Sequence, residues 1–319
     1  MQNGKFVIDT VIHAFNLSEE NFAYPRYASA INELILGVTG IVPSGYGLPR
    51  DAVIRDWPIE DAANMVFRES HTDVAVYHPV PIFAYKDGQS AFPKGVEAIK
   101  RWPNRFIGMY VSLDPLRPGT DAIAELNRQI DEVEAAGQKP LGLKLYPTTG
   151  FYPDDEIVYP LYEVCCDHDV PVLLHQGHSG GRLKSKYGHP IHVDSVAADF
   201  PDLKIIMGHG ARLETWGKEA LSVAIYKTNV HIEISLWQHW ASVDELVRLF
   251  VWIRDRIGID RLLFGSDMTN TEVSMSLREW VETIAMFPEW AKQLGFRLTE
   301  EEIGLVLGGN AKRVYKLPI

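Results

Sequence analysis

The sequence predicts a (β/α)8 barrel with a long insertion after the first strand. Short apolar runs without helical spacing recur along the chain, each followed by a segment of helical periodicity, which is the pattern of a parallel sheet. Eight such units fit into 319 residues, the length of a closed barrel. Histidines, a lysine and an aspartate stand in or just past the strand ends, where a barrel gathers its reactive groups. An open doubly wound sheet is the weaker alternative, because no Gly-rich phosphate-binding loop follows the first strand.

The first strand is expected over residues 5–9, with His13 at or just past its end. Residues 16–57, broken by Pro25, Pro43, Gly45, Gly47 and Pro49, read as an insertion with one helix over 27–36. Long loops of this kind serve as lids or binding loops. A helix over 59–68, with Asp51 or Asp56 as upstream cap, leads to a strand over 72–77 and then His78. A helix over 95–101 precedes the third strand, 106–111. An amphipathic helix over 120–136, stopped by Gly137, precedes the fourth strand, 142–145, which carries Lys144. Next come a helix over 157–167, a strand over 172–174 and His175, then a helix over 193–200 and a strand over 204–207, with His209 beyond it. A helix over 218–227 precedes the seventh strand, 230–234, and Ser235; a helix over 242–256 precedes the eighth, 261–264. That last run is apolar, breaks at Gly265-Ser266 and presents Asp267. Helices over 275–294 and 299–307 close the chain, with a last helical turn after Gly308-Gly309-Asn310.

Composition narrows the function. The chain is 46% apolar and its net charge is −11, from 31 basic and 42 acidic residues. No basic block stands out, so neither nucleic acid nor an anionic membrane is expected as partner; the expected partner is a small-molecule substrate. No signal-peptide pattern and no apolar run of about 18 residues is found, so a soluble cytoplasmic protein is expected. Residues 1–319 read as a single domain, with 16–57 as its lid insertion. Cys165 and Cys166 are adjacent, which disfavours an ordinary disulfide between them. Both are expected on the buried face of a helix.

A buried carboxylate costs free energy unless something binds it, although Asp267 by itself could equally be a helix cap or close a turn. A lone strand-end histidine is more often structural than catalytic. His13, His78, His175, His209 and Asp267 converging on one barrel mouth outweigh those readings. In a barrel, His13, His175 and Asp267 would lie within reach of one ion. Imidazole and carboxylate suit Zn2+, and a catalytic zinc takes about three protein ligands with one position open for water. Lys144 could bind a substrate oxyanion, or bury its stem and reach a core carboxylate. Arg182 and Arg212 could hold a carboxylate, while surface ion pairs are the commoner fate of such residues. His178 and Trp237 are near mouth-side segments and join Lys144 and Arg212 as candidate substrate contacts, although loop position and core packing explain either one without function.

The chain resembles the amidohydrolase superfamily, in its amidohydrolase-related group that includes aminocarboxymuconate-semialdehyde decarboxylase and the resorcylate decarboxylases. The resemblance is densest in Pro171-Val-Leu-Leu-His-Gln-Gly177, Phe200-Pro-Asp-Leu-Lys-Ile-Ile-Met-Gly-His-Gly210, Arg261-Leu-Leu-Phe-Gly-Ser-Asp267 and Gly308-Gly-Asn-Ala-Lys-Arg313. It implies one divalent metal per chain, Zn2+ or Mn2+, with His13, His175 and Asp267 as ligands. It also implies His209 as a catalytic histidine and Asp267 as general base. A homodimer is expected on the same ground. The departure is at strand one, where the family's Asp-x-His-x-His becomes Asp9-Thr-Val11-Ile-His13. Valine has no lone pair to offer a metal.

Four activities follow as expectations. The first is a metal-dependent hydrolase of a small carboxylated or cyclic substrate, with activated water attacking, Asp267 taking the proton and His209 supporting the oxyanion. The second is a non-oxidative decarboxylase of an aromatic or muconate-type acid. The third is a metal-independent lactonase, favoured by Val11 and by the pyrone dicarboxylate lactonases of the same superfamily. The fourth is a barrel that only binds a ligand.

Overall fold

In a computed structural model, residues 4–41, 49–117, 119–268 and 275–319 are described. Pro43, Gly45 and Gly47 of the expected insertion lie outside them. Eight parallel strands, β1 Ile8–Ile12, β2 Val74–Tyr77, β3 Phe106–Ser112, β4 Gly142–Leu145, β5 Val172–His175, β6 Ile205–Gly208, β7 Val230–Glu233 and β8 Leu262–Leu263, pair in sequence order. The last strand returns to the first: Thr10 N–H bonds Phe264 O at 3.0 Å, Asp267 N–H bonds Val11 O at 3.0 Å and His13 N–H bonds Met268 O at 2.8 Å. These bonds close the sheet into the TIM barrel that the sequence predicts.

The helices are α1 Pro25–Ile41, α2 Arg50–Val53, α3 Ile59–Phe67, α4 Phe92–Arg101, α5 Ala122–Ala135, α6 Tyr159–Asp167 and α7 Ile191–Asp199. They continue with α8 Gly217–Tyr226, α9 Trp237–Trp240, α10 Val243–Arg256, α11 Leu277–Ala285, α12 Phe287–Gln293, α13 Glu300–Gly304 and α14 Asn310–Val314. Several start where side chains supply the acceptors that helix N-termini lack. Asp121 accepts from the N–H groups of Ile123 and Ala124, and capping boxes Ser242/Glu245, Ser276/Glu279 and Thr299/Glu302 open α10, α11 and α13. The helix expected over 275–294 is two helices, because Pro288 begins a new one straight after Met286. Neither Asp51 nor Asp56 caps α3: Pro58 precedes it, and Asp56 pairs with Lys94. Cys165 is buried, but Cys166 faces out, so only one of the two fits the expected buried face. Among the described residues no helix is long and apolar enough to cross a membrane.

The core has two layers. One fills the barrel itself, where Ile8, Val11, Val76, Tyr110, Leu173, Ile206 and Leu263 from six strands meet, with Val314 and Tyr315 against them. The other lies between strands and helices, and includes Val7, Ile12, Leu145, Leu174 and Ile232. A smaller cluster packs α1 and the segment after it onto the loop that follows β2, through Ile31, Ile35, Trp57, Ile82 and Tyr85. Helix α1 and the described residues of this cluster thereby sit over the end of the barrel where the strands finish.

Candidate active site

Side chains alternate along a strand, so the interior positions of β2, β5, β7 and β8 run Val76 to His78, Leu173 to His175, His231 to Glu233 and Leu263 to Gly265. β1 departs from this rule. Its pairing with β2 slips between Asp9 and Ile12, a bulge that lets both Ile8 and Val11 reach the barrel interior. The Asp9 carboxylate holds the bulge by accepting from Val11 N–H (3.2 Å) and Ser266 N–H (3.0 Å). Burial pushes the Asp9 carboxyl up to about 7, against the hydrogen bonds it accepts.

Ser266 precedes Asp267, whose backbone is turned into the left-handed region at φ 58°. An aspartate accepts that conformation more readily than a branched residue. The turn brings Asp267 Oδ1 to 3.0 Å from His13 Nε2, while His13 Nδ1 donates to the His78 carbonyl at 2.7 Å. Since that carbonyl can only accept, Nδ1 carries a proton. A hydrogen bond from Nε2 to Asp267 therefore requires a doubly protonated ring. Burial alone would raise the Asp267 carboxyl, but His209, which carries charge only in acid, the His13 hydrogen bond and Lys144 together hold it well below the usual carboxylate range.

A second network starts at Glu233, which is fully buried at the end of β7. Its carboxylate accepts from Ser235 N–H (2.6 Å), His209 N–H (3.1 Å) and Ser235 Oγ (2.8 Å). Ser235 Oγ lies 2.7 Å from His209 Nδ1, and His209 Nε2 lies 3.1 Å from His175 Nδ1. His175 Nε2 in turn meets Ser179 Oγ at 3.1 Å. Burial lowers the His209 imidazole to about 3 against the pull of Asp267, and lowers His175 well below the usual histidine range, so both rings are neutral. The backbone from His209 to Arg212 has positive φ throughout, 60°, 51°, 56° and 60°. Strain of this kind costs about 1–3 kcal/mol per non-glycine residue and recurs at functional sites.

These groups border a cavity of about 130 Å³. Asp267, His175, Ser179, His178, Arg212 and His239 form its polar side; Ile31, Leu34 and Ile35 of α1, with Ile82, Leu183 and Trp240, form an apolar wall. Tyr146 also lines it and stacks on His175, with ring centres 4.0 Å apart.

The structure thus brings together His13, His175, His209 and Asp267, as the sequence led us to expect. His178 and Arg212 reach the rim, where Arg212 Nη1 donates to His178 O at 2.8 Å and the His178 ring packs on Trp216. Lys144 is buried in the barrel, where burial lowers its ammonium against the attraction of Asp267 and Glu233. Among the described residues no carboxylate forms an ion pair with it within 4.0 Å. Trp237 does not line the cavity. Its ring is in the core, and its Nε1–H donates to His209 O at 2.9 Å, so it supports the strained turn from behind. Sequence reasoning missed Glu233; it placed Ser235 past the seventh strand and Ser179 in the loop after His175 without giving either a role, and it had Tyr146 only as one of several aromatics near the mouth. The signal for the first two was present in Val230-His-Ile-Glu-Ile-Ser235, where alternation sends Glu233 and Ser235 to one face of a strand with no water on either side.

The donors expected to hold a metal fit it only in part. His13 Nε2 and the Asp267 carboxylate have the spacing and chemistry of two ligands of one cation. His175 does not join them, since its two ring nitrogens face His209 and Ser179. Val11 packs its methyls in the barrel interior. Among the described residues, no group of three histidine, cysteine, aspartate or glutamate side chains could hold an ion.

Comparison with known proteins points the same way as the geometry. The family model described as amidohydrolase matches residues 56–317. No curated protein matches the chain. Among solved structures, an uncharacterised TIM-barrel protein of Bordetella bronchiseptica aligns at TM-score 0.66 and 20% identity, covering 97% of this chain and 98% of that one. A probable 2-pyrone-4,6-dicarboxylic acid hydrolase of Acinetobacter baumannii, with citric acid bound, aligns at 0.61 and 13%, covering 98% and 99%. A zinc-bound amidohydrolase of Burkholderia multivorans aligns at 0.62 and 16%, covering 98% and 100%.

Proposed function

This chain belongs to the amidohydrolase family, and on that premise we propose that it is a hydrolase opening a small cyclic or carboxylated ester with water activated by Asp267. The observation that carries the reading is the Asp267 carboxylate, held ionised beside the cavity by His13 at 3.0 Å. Water bound to it would be aligned for attack, and the proton would pass to Asp267 Oδ. A carboxylate of such low proton affinity is a weak base. It suits a carbonyl that is already electrophilic and has a good leaving oxygen, which favours lactones over amides. Arg212, which lines the cavity, would meet a substrate carboxylate, and the apolar wall of α1 would cover a ring. We also propose that the insertion around α1 acts as the lid, that the chain is one domain, and that it works as a homodimer.

The test is direct. The purified protein is offered 2-pyrone-4,6-dicarboxylate, the substrate named for one fold neighbour, then simple lactones and aromatic acids. Ring opening with release of one acid, lost in Asp267→Asn, supports the reading. Loss of CO2 from an aromatic acid without hydrolysis would replace it with a decarboxylase.

Metal dependence is the second reading. It is favoured by His13, whose protonated Nδ1 leaves Nε2 as a second acceptor facing Asp267, a pairing that one cation would satisfy. A similar fold carries zinc in the Burkholderia protein. Metal content by plasma mass spectrometry, compared between the wild type and His13→Ala, decides: about one Zn or Mn per chain, absent in the variant, establishes it.

A further inference from the structure

We propose that Asp9 is a positioning residue: one of its oxygens sets the phase of β1 so that His13 faces the barrel, and the same oxygen fixes the turn that carries Asp267. The argument starts from alternation. Counting in twos from Ile8, which faces the barrel interior, sends Ile12 inward and His13 outward. The structure has the reverse. Ile12 packs in the layer between strands and helices, whereas Val11 reaches the interior and His13 meets Asp267. The pairing shows where the phase changes. Asp9 lies opposite Ala75 and Ile12 opposite Tyr77, so three steps along β1 match two along β2 and one residue is extra. Without that extra residue His13 would point away from Asp267.

An extra residue disrupts the ladder locally, and a buried N–H needs an acceptor. Inside the bulge, Asp9 Oδ1 supplies one to Val11 N–H at 3.2 Å. The same oxygen takes Ser266 N–H at 3.0 Å, one residue before Asp267. Asp267 N–H in turn bonds Val11 O at 3.0 Å, and His13 N–H bonds Met268 O at 2.8 Å. One atom therefore ties the two backbones on which the 3.0 Å contact between His13 and Asp267 depends. The carboxyl need not be ionised for this. Two N–H groups point at Oδ1, so a proton bound by Asp9 sits on Oδ2 and Oδ1 still accepts. Asp9 is fully buried and does not line the cavity, so it acts through His13 and Asp267. The assignment rests on reading that pair as the reactive centre. Its main test is crystallographic and needs no substrate, so its failure and the failure of the hydrolase reading are separate results.

Crystal structures are compared for the wild type, Asp9→Asn and Asp9→Ala. Asparagine keeps an acceptor oxygen, so the bulge and the contact of 3.0 Å should persist. Alanine leaves both N–H groups without it, and His13 and Asp267 should separate by about 1 Å or more. Asn310→Ala, which removes buried hydrogen bonds at the start of β8 instead, should keep the contact and so separates positioning from general loss of stability. Where the protein opens a lactone, Asp9→Ala should lower kcat by about 10²-fold with KM little changed, and Asp9→Asn should regain most of that loss. Should Asp9→Ala not fold, Asp9→Leu, which fills the space without an acceptor, is read in its place. An unchanged bulge and contact in a folded variant that lacks the acceptor overturn the proposal, as does their loss in Asp9→Asn.

Discussion

His231, near the start of β7, offers a quantitative test of how burial shapes this molecule. Its side chain is 8% exposed, and among the described residues its Nδ1 has no hydrogen-bond partner. Burial, then Arg261, Arg313 and Lys204, lower its imidazole from 6.5 to about 3. In the folded chain the ring stays neutral where the unfolded chain would protonate it. Stability is therefore intact above pH 6.5 and erodes as pH falls toward 3. Each unit of that interval removes about 1.4 kcal/mol. At pH 4.5, two units below the unfolded value, the loss from this residue is about 2–3 kcal/mol. His231→Gln removes the titration and keeps most of the volume. Urea unfolding of both proteins at pH 7.5 and 4.5 should show the variant gaining about 2–3 kcal/mol on the wild type between the two conditions. Other buried histidines lose stability too, but in both proteins alike, so the difference isolates His231. A gap that changes by less than about 0.5 kcal/mol would refute the reasoning.

Other outcomes follow from the same structure. Asn310 is fully buried and donates to Ile259 O at 2.9 Å and Leu262 O at 2.8 Å, so Asn310→Ala should cost about 2–4 kcal/mol in urea unfolding by stranding two carbonyls. Asp267→Asn should lower kcat on any lactone the protein opens by about 10²–10⁴, with circular dichroism unchanged. Leu34 lines the cavity yet is 41% exposed, so Leu34→Trp should leave the melting temperature nearly unchanged while lowering kcat/KM by about tenfold or more for ring-bearing substrates. An unchanged kcat/KM would remove α1 from the substrate's path.

The barrel and much of its mouth were legible in the sequence by itself. A parallel strand buried on both faces shows as an apolar run without helical period. Leu262-Leu263-Phe264 or Val172-Leu173-Leu174 could hardly be anything else. Once eight such runs imply a barrel, residues just past them must meet, which brings His13, His175, His209 and Asp267 together on the sequence alone. The caps of α10, α11 and α13 are likewise local, because a Ser or Thr and a Glu three residues on satisfy each other within one turn.

What the sequence could not show is how strand neighbours interlock, because that depends on register and on which groups water cannot reach. The bulge in β1 exists because Asp9 bonds Ser266, more than 250 positions away, and it decides that Val11 turns inward. Trp237 looked like a mouth-side aromatic; only the packed turn after β6 shows that it supports His209 from the core. Glu233 is one residue of an ordinary strand run in the sequence, and only the closed barrel brings the His209 N–H beside the Ser235 N–H onto its carboxylate. Local pattern determined which residues reach the mouth. The tertiary structure alone decided which hydrogen-bond partners each one meets there.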